Sequence, residues 1–282
     1  MASSSQATPA FVRLAAHPLR WRLLTELATG DLRVRELTAL AGAPQNLVSY
    51  HLRLLRAEGL VTATRSSHDG RDSYYRLDLD RCAQALAGAG AALHPALHPV
   101  LHPVLRGVSA PPERPSQWPS QWPSQWPSQW PRLSVLFACT GNSARSPIAE
   151  ALLRHHTSGL VTVTSAGSRP RPRMHPQAVR VLRERHGIDV ADRRPRHLDT
   201  LRGRRFDYVI TLCDKVRENC PEFGGHARRI HWSTPDPAAA DLPEQDGHAA
   251  FDRTTADIDT RIRHLLPVLA HTVLAHTSEA SR

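Results

Sequence analysis

Residues 139 to 146 read CTGNSARS. The thiol of Cys139 and the guanidinium of Arg145 could act on one anion, the sulfur as nucleophile and the arginine as a fork of two parallel donors to its oxygens. In so arginine-rich a chain this pair alone carries little weight, and its flanks decide. An apolar run, LSVLFA, precedes the loop, and a helical pattern opening at Pro147 follows it. A strand that turns directly into a helix aims the backbone N–H groups of Thr140, Gly141, Asn142, Ser143, Ala144 and Arg145 at one anion, and the same field favours a thiolate at Cys139. Ser146 can donate to that sulfur. No Gly-Lys-Ser/Thr follows the glycine, so a nucleotide phosphate loop is not expected.

Three other positions could complete a reaction. Asp236 lies in HWSTPDPAA, where Pro237 stiffens the backbone, and its carboxyl group is a candidate general acid. Cys213 and Cys220 stand at the two ends of CDKVRENC, the first of them at the end of the buried-strand candidate FDYVITLCD. The N-terminus lacks the apolar stretch of a signal peptide and no run reaches about 18 apolar residues, so the expected compartment is the cytoplasm, with no membrane contact. Four thiols in a reducing compartment are better read as catalytic or redox-active than as a disulfide framework. Neither a metal site nor a bound cofactor is expected.

The elements needed to position these groups alternate between strand and helix from residue 132 to 272, which predicts an α/β domain with a parallel sheet. CTGNSARSPIAEALL, the SAG at 165 to 167 and the Asp236-Pro237 pair together resemble the low-molecular-weight tyrosine phosphatase superfamily. That resemblance implies a flavodoxin-like doubly wound sheet with Cys139, Arg145, Ser146 and Asp236 in catalysis. Cys213 and Cys220 match in position and spacing the thioredoxin-coupled arsenate reductases of that superfamily, and Ala238 stands where the phosphatases usually carry an aromatic residue. The implied activity is reduction of arsenate to arsenite through Cys139, Cys213 and Cys220, reset by thioredoxin or another dithiol reductant. Ala144 departs from both groups, which often carry a second loop cysteine there. A helix of seven residues between Cys213 and Cys220 would rise roughly 10 Å, whereas bridged Cα atoms lie within about 7 Å, so a helical segment would have to rearrange during turnover. The competing readings are a tyrosine phosphatase and a catalytically idle sensor of oxyanion or arsenite.

Residues 9 to 90 predict a separate, mostly α-helical domain. HPLRWRLLTELATG puts Leu19, Leu23, Leu24 and Leu27 on one stripe closing on Gly30, VRELTALAG ends at Gly42, and APQNLVSYHLRLLRAEGL starts behind Pro44 with Leu47, Leu54 and Leu55 inward and Gly59 at its end. LVTATRSSHDGRDSYYRLDL then reads as two strands about Asp69 and Gly70. Helix, turn, helix and hairpin make a winged helix-turn-helix whose third helix presents Gln45, Asn46, Ser49, Tyr50 and Arg53 to base edges and phosphates. The pattern LVSYHLRLLRAEGLV followed by GRDSYYRL resembles the ArsR family of dimeric repressors, which implies operator DNA as a partner and a homodimer formed through this domain. Many relatives carry a Cys-x-Cys pair before the turn; LRVREL stands there instead, so metalloid sensing is not expected of it.

The net charge of +10 permits nucleic-acid binding, and both halves share it, with 12 basic against 8 acidic residues in 1 to 107 and 23 against 17 in 132 to 282. Between the domains, residues 91 to 131 hold LHP and PSQW repeats. Proline at every fourth position excludes a helix and predicts an extended spacer, with His94, His98 and His102 as products of the repeat rather than a metal face.

Overall fold

The computed structural model describes residues 8–94, 133–223, 226–239 and 244–280, divided between two units. The PSQW repeats and nearly all of the LHP repeats lie outside the described residues. No described helix is long and apolar enough to cross a membrane.

The first unit runs α1 (Ala10–Ala15), α2 (Pro18–Leu27), β1 (Leu32–Arg33), α3 (Val34–Ala41), α4 (Gln45–Ala57), β2 (Val61–Arg65), β3 (Ser73–Leu77) and α5 (Leu79–Leu93). Pro18 pre-sets the first turn of α2, and the His17 ring caps it by accepting the Leu19 N–H at 3.2 Å. Gly42 ends α3 in the left-handed region at φ 62°. The core is built from Leu23, Leu24 and Leu27 of α2, Leu37 of α3, and Val48, Leu52 and Leu55 of α4. The three strands form an antiparallel sheet in the order β1-β3-β2, with β2 and β3 paired from Val61↔Leu77 to Arg65↔Ser73. This is the expected winged helix, with two corrections of detail. First, α2 stops at Leu27, three residues before Gly30. Second, α4 is rotated from the predicted phase: Leu47 is 41 % exposed and Leu54 half-buried, while Val48, His51, Leu52 and Leu55 turn inward. The stripe i, i+3, i+4, i+7 that starts at Val48 keeps one polar residue, His51, in order to bury three branched apolar ones. A helix not anticipated, α5, follows the wing, capped by Asp78 accepting the Arg81 N–H at 2.8 Å.

His51 is 4 % exposed, its ring lies 4.4 Å from that of His17, and its Nδ1 has no partner. Burial, then the His17 and Arg20 charges, push its pKa below the usual histidine range. An unfolded chain therefore binds this proton more readily than the folded one, so the unit keeps its stability above about pH 6.5 and loses it as pH falls below that. The protection factors of the α4 amides, exchange rates corrected for their intrinsic pH dependence, are expected to fall between pH 6.5 and 5, and His51→Leu to flatten that dependence.

The second unit runs β4 (Ser134–Cys139), α6 (Arg145–His156), β5 (Thr162–Gly167), α7 (Pro176–His186), β6 (Tyr208–Thr211), α8 (Asp214–Asn219), β7 (Arg228–His231) and α9 (Glu244–Ala280), with a 3-10 turn at Leu198–Leu201. The sheet is parallel throughout, in the order β5-β4-β6-β7, as the α/β alternation predicted. Val135, Leu136, Phe137 and Ala138 of β4 have no exposed surface, as a central strand covered on both faces requires. β4 is flanked by β5 on one side and β6 on the other, so the winding reverses there. The crevice at the carboxyl ends of these strands is the switch point where α/β sheets bind ligands. Helix α9 packs on α6 and α7, tied to α6 by His156 Nε2 on Asp259 Oδ1 at 2.6 Å, and Arg263 of α9 itself pairs with the same carboxylate.

Candidate active site

Cys139 is the last residue of β4 and Arg145 the first of α6, so the loop 140–144 has five residues in which to reverse the chain. It does so through Asn142, whose φ of 45° lies in the left-handed region that asparagine tolerates better than most residues. The Asn142 side chain is fully engaged: Nδ2 donates to Ser146 Oγ at 3.0 Å and to Ser165 Oγ at 2.9 Å, and Oδ1 accepts the Arg196 N–H at 2.8 Å. Ser165 in turn donates to Glu150 at 2.6 Å, and that buried carboxylate is neutralised by Arg154 and Arg193 at 2.8 and 2.7 Å.

Loop carbonyls are taken up on the outside. The N–H groups of Ser168, Arg169, Arg171 and His175 donate to the carbonyls of Cys139, Thr140, Gly141 and Ser143 at 3.2, 2.9, 2.8 and 2.9 Å. Residues 168–175 thus form a strap along the loop, and Phe251 of α9 stacks on its His175 with ring centroids 4.5 Å apart. With the carbonyls turned to the strap, loop N–H groups are left for the interior. The Asn142 N–H donates to Cys139 Sγ at 3.3 Å, and Ser146 Oγ lies 2.9 Å from the same sulfur.

The six catalytic candidates divide by position. Arg145 is 5 % exposed; it donates through Nη1 to the Thr234 carbonyl at 3.0 Å and pairs through Nη2 with Asp236 Oδ2 at 2.9 Å. The same Asp236 accepts the Ala238 N–H at 3.2 Å. Cys213 lies on the other side of the loop, its Sγ 3.3 Å from Thr140 Oγ1. Burial pushes the Cys213 thiol up, and the nearby Arg145 guanidinium opposes that shift. Cys139, Arg145, Ser146, Asp236 and Cys213 therefore meet at the carboxyl ends of β4 and β6. Cys220 does not join them. It terminates α8, six helical residues beyond Cys213, half-buried, its thiol pushed up by burial and drawn back by Arg229.

The cleft above Cys139, of ≈ 1270 Å³, is also lined by Arg169, Arg171, Arg173 and Lys215. These residues were missed in the sequence, although SRPRPRMHP directly after the SAG alternates arginine with proline and so marks an extended segment carrying positive charge. Ser165 and Glu150 were missed too, because nothing in their local spacing links them to the loop. In the first unit Asn46, Tyr50 and Arg53 are exposed on the face of α4 away from Val48, Leu52 and Leu55, Ser49 is half-exposed beside them, and Gln45 is exposed as the first residue of the helix, above the inward stripe.

Residues 134–276 match the family Low molecular weight phosphotyrosine protein phosphatase, and residues 17–63 match Bacterial regulatory protein, arsR family. Over 131 residues the chain is 36% identical to an arsenate reductase of Shouchella clausii, covering 46% of this chain and 91% of that protein. It is 36% identical over 130 residues to an arsenate reductase of Bacillus licheniformis, covering 46% and 92%. The crystal structure of an arsenate reductase from Archaeoglobus fulgidus aligns at 29% identity and a TM-score of 0.39, covering 47% of this chain and 98% of that one.

Gly167 tests the loop geometry. It pairs with Cys139 across β4 and β5, and a Cβ there would lie 2.5 Å from the Thr140 carbonyl oxygen and 2.9 Å from the Asn142 nitrogen, both backbone atoms. Gly167→Ala is expected to cost about 1–3 kcal/mol of stability and to abolish oxyanion binding at Cys139, read by chemical denaturation and by phosphate titration calorimetry.

Proposed function

The chain belongs to the low molecular weight phosphotyrosine protein phosphatase family, and from that premise we propose that its second unit reduces arsenate to arsenite while its ArsR-type first unit binds operator DNA. The observation that carries the first half is the pairing of two thiols across one oxyanion loop, Cys139 within it and Cys213 against Thr140, with a third thiol at the far end of α8. Phosphate ester hydrolysis needs only Cys139, Arg145 and Asp236, and leaves Cys213 and Cys220 without a task.

The chemistry follows in three exchanges. The oxyanion sits on the N–H groups of residues 140–145 and the Arg145 fork, with the Cys139 thiolate behind the arsenic. That sulfur displaces one oxygen, which Asp236 protonates so that it leaves as water. Cys213 then attacks the Cys139 sulfur: the sulfur–arsenic bond breaks, its electron pair stays on arsenic, and arsenite departs with a Cys139–Cys213 disulfide left behind. Finally Cys220 attacks Cys213, which moves the disulfide to 213–220 and frees Cys139. Thioredoxin or another dithiol donor reduces that last pair. Since α8 separates Cys213 from Cys220 by roughly 10 Å of helix, it must unwind before the two can bond.

A second reading, phosphomonoester hydrolysis, is favoured by the volume of the cleft, ≈ 1270 Å³, which leaves room for far more than a bare oxyanion. Both are measured together by arsenate-dependent NADPH oxidation with thioredoxin and its reductase, beside hydrolysis of an aryl phosphate. Cys213→Ser is expected to reduce arsenate turnover at least 100-fold and to leave aryl phosphate hydrolysis within a few-fold of wild type. Absence of NADPH oxidation in the wild type, with hydrolysis intact, would favour the phosphatase.

For the first unit, the exposed face of α4 presents amide, hydroxyl and guanidinium groups to the major groove, in a cytoplasmic homodimer. Arg53→Ala is expected to weaken operator binding and, if Arg53 meets a phosphate, to lower the slope of log K against log salt by about one, measured by anisotropy from 50 to 300 mM salt.

A further inference from the structure

The two ends of α8 are held in different ways. At the Cys213 end the fastening is buried: Asp214 Oδ1 accepts from Ser233 Oγ at 2.8 Å and lies 3.0 Å from His231 Nε2, and His231 Nδ1 lies 2.8 Å from Thr211 Oγ1. All four residues are at most 6 % exposed. At the Cys220 end the thiol packs half-buried on the core and the chain is anchored again at Phe223, but the hydrogen bonds come from one exposed side chain of β7. Arg229 Nη2 donates to the Cys220 carbonyl at 3.3 Å and to the Pro221 carbonyl at 2.9 Å, and the same guanidinium draws the Cys220 thiol down against the effect of burial. A buried network costs far more to open than two water-accessible hydrogen bonds. When α8 shortens to let its flanking thiols bond, the Cys220 end is therefore the one that travels.

Resting on the relay described above, we propose that Arg229 is the positioning residue for the resolving thiol, holding Cys220 by its carbonyl and keeping it ready to attack while that end of α8 unwinds. It touches neither the oxyanion nor the sulfur attacked, so it acts on the last exchange alone. There the Cys220 thiolate bonds to Cys213 Sγ, the 139–213 bond breaks, and its electron pair leaves on Cys139, with no net change in oxidation. The electrostatic part of the effect is small. One unit of thiol pKa changes the thiolate fraction tenfold, but the more basic sulfur is about threefold more nucleophilic, so the net loss is about threefold near neutral pH. A larger loss measures the positional part.

The test is an anaerobic single turnover of the fully reduced chain with arsenate and no external reductant. The reaction is quenched by a thiol-alkylating agent at intervals from pH 6.5 to 9, arsenite is assayed, and disulfides are mapped by peptide mass. Wild type is expected to release one equivalent of arsenite and to carry the 213–220 disulfide. Arg229→Met is expected to release arsenite at a comparable rate, but to retain the 139–213 disulfide at least threefold longer, with the pH profile of its decay moved to higher pH. Arg229→Lys should restore most of the pH profile and less of the rate. Equal disulfide transfer in Arg229→Met and wild type, at every pH, overturns the assignment of Arg229 while leaving the relay intact. Failure of the wild type to form arsenite or a 139–213 bond overturns the relay, and the role of Arg229 with it. Should Arg229→Met melt early, Arg229→Gln, which keeps a donor for one carbonyl without the charge, is judged by the same pH shift.

Discussion

The second unit depends on one backbone reversal, the left-handed turn at Asn142. An oxyanion needs several N–H groups pointing one way, and a short loop can offer them only if its carbonyls point the other way and find donors there. The strap at 168–175 supplies those donors, while the Asn142 side chain binds the loop at once to α6 through Ser146, to β5 through Ser165 and to the following segment through Arg196. Backbone strain at a non-glycine residue persists only when its surroundings over-determine it, and here they do. Gly167 follows from the same constraint, since the loop passes too close to β5 for any side chain at that position.

The three thiols of this unit occupy graded environments around that loop. Cys139 sits at its base beneath converging donors, Cys213 shares the field of Arg145 from the next strand, and Cys220 lies beyond it, half-buried beside Arg229. Burial raises the proton affinity of both relay thiols, and in each case a guanidinium opposes it. Arginine is suited to this task because it remains charged and offers its donors in a fixed plane, so it can hold a carbonyl and bias a thiol together. In the first unit Cys82 has no such cation; burial and Asp78 push it up to about 11. It is a packing residue of α5, consistent with the missing Cys-x-Cys pair in a unit that otherwise has the ArsR form.

Much of this was legible from the chain alone, because the signals are local. A strand, a five-residue loop and a helix, which opens at Arg145 two residues ahead of the expected Pro147, lie within about twenty residues, and so do the helix, turn and helix of the first unit. Their apolar periods and terminal glycines are written in adjacent positions. The phase of α4 was misread because Leu47 is as apolar as its neighbours, and only packing against α2 and α3 selects Val48, His51, Leu52 and Leu55 as the inward stripe. α5 was not anticipated, since a run of alanine and glycine has little amphipathic contrast.

By itself the sequence determined the reactive inventory: the thiols, the guanidinium, the carboxyl group and the loop that could hold an anion, together with a separate winged helix. Tertiary structure alone decided which of them meet. Arg145 reaches Asp236 across 91 positions and Asn142 reaches Arg196 across 54, and no spacing rule encodes such contacts. They arise because parallel strands need long crossovers, which bring the carboxyl ends of β4, β5 and β6 to one edge of the sheet. The support of Ser165 by Glu150, the strap beneath the loop and the hold of Arg229 on Cys220 are products of that return of the chain, and are invisible until it has folded.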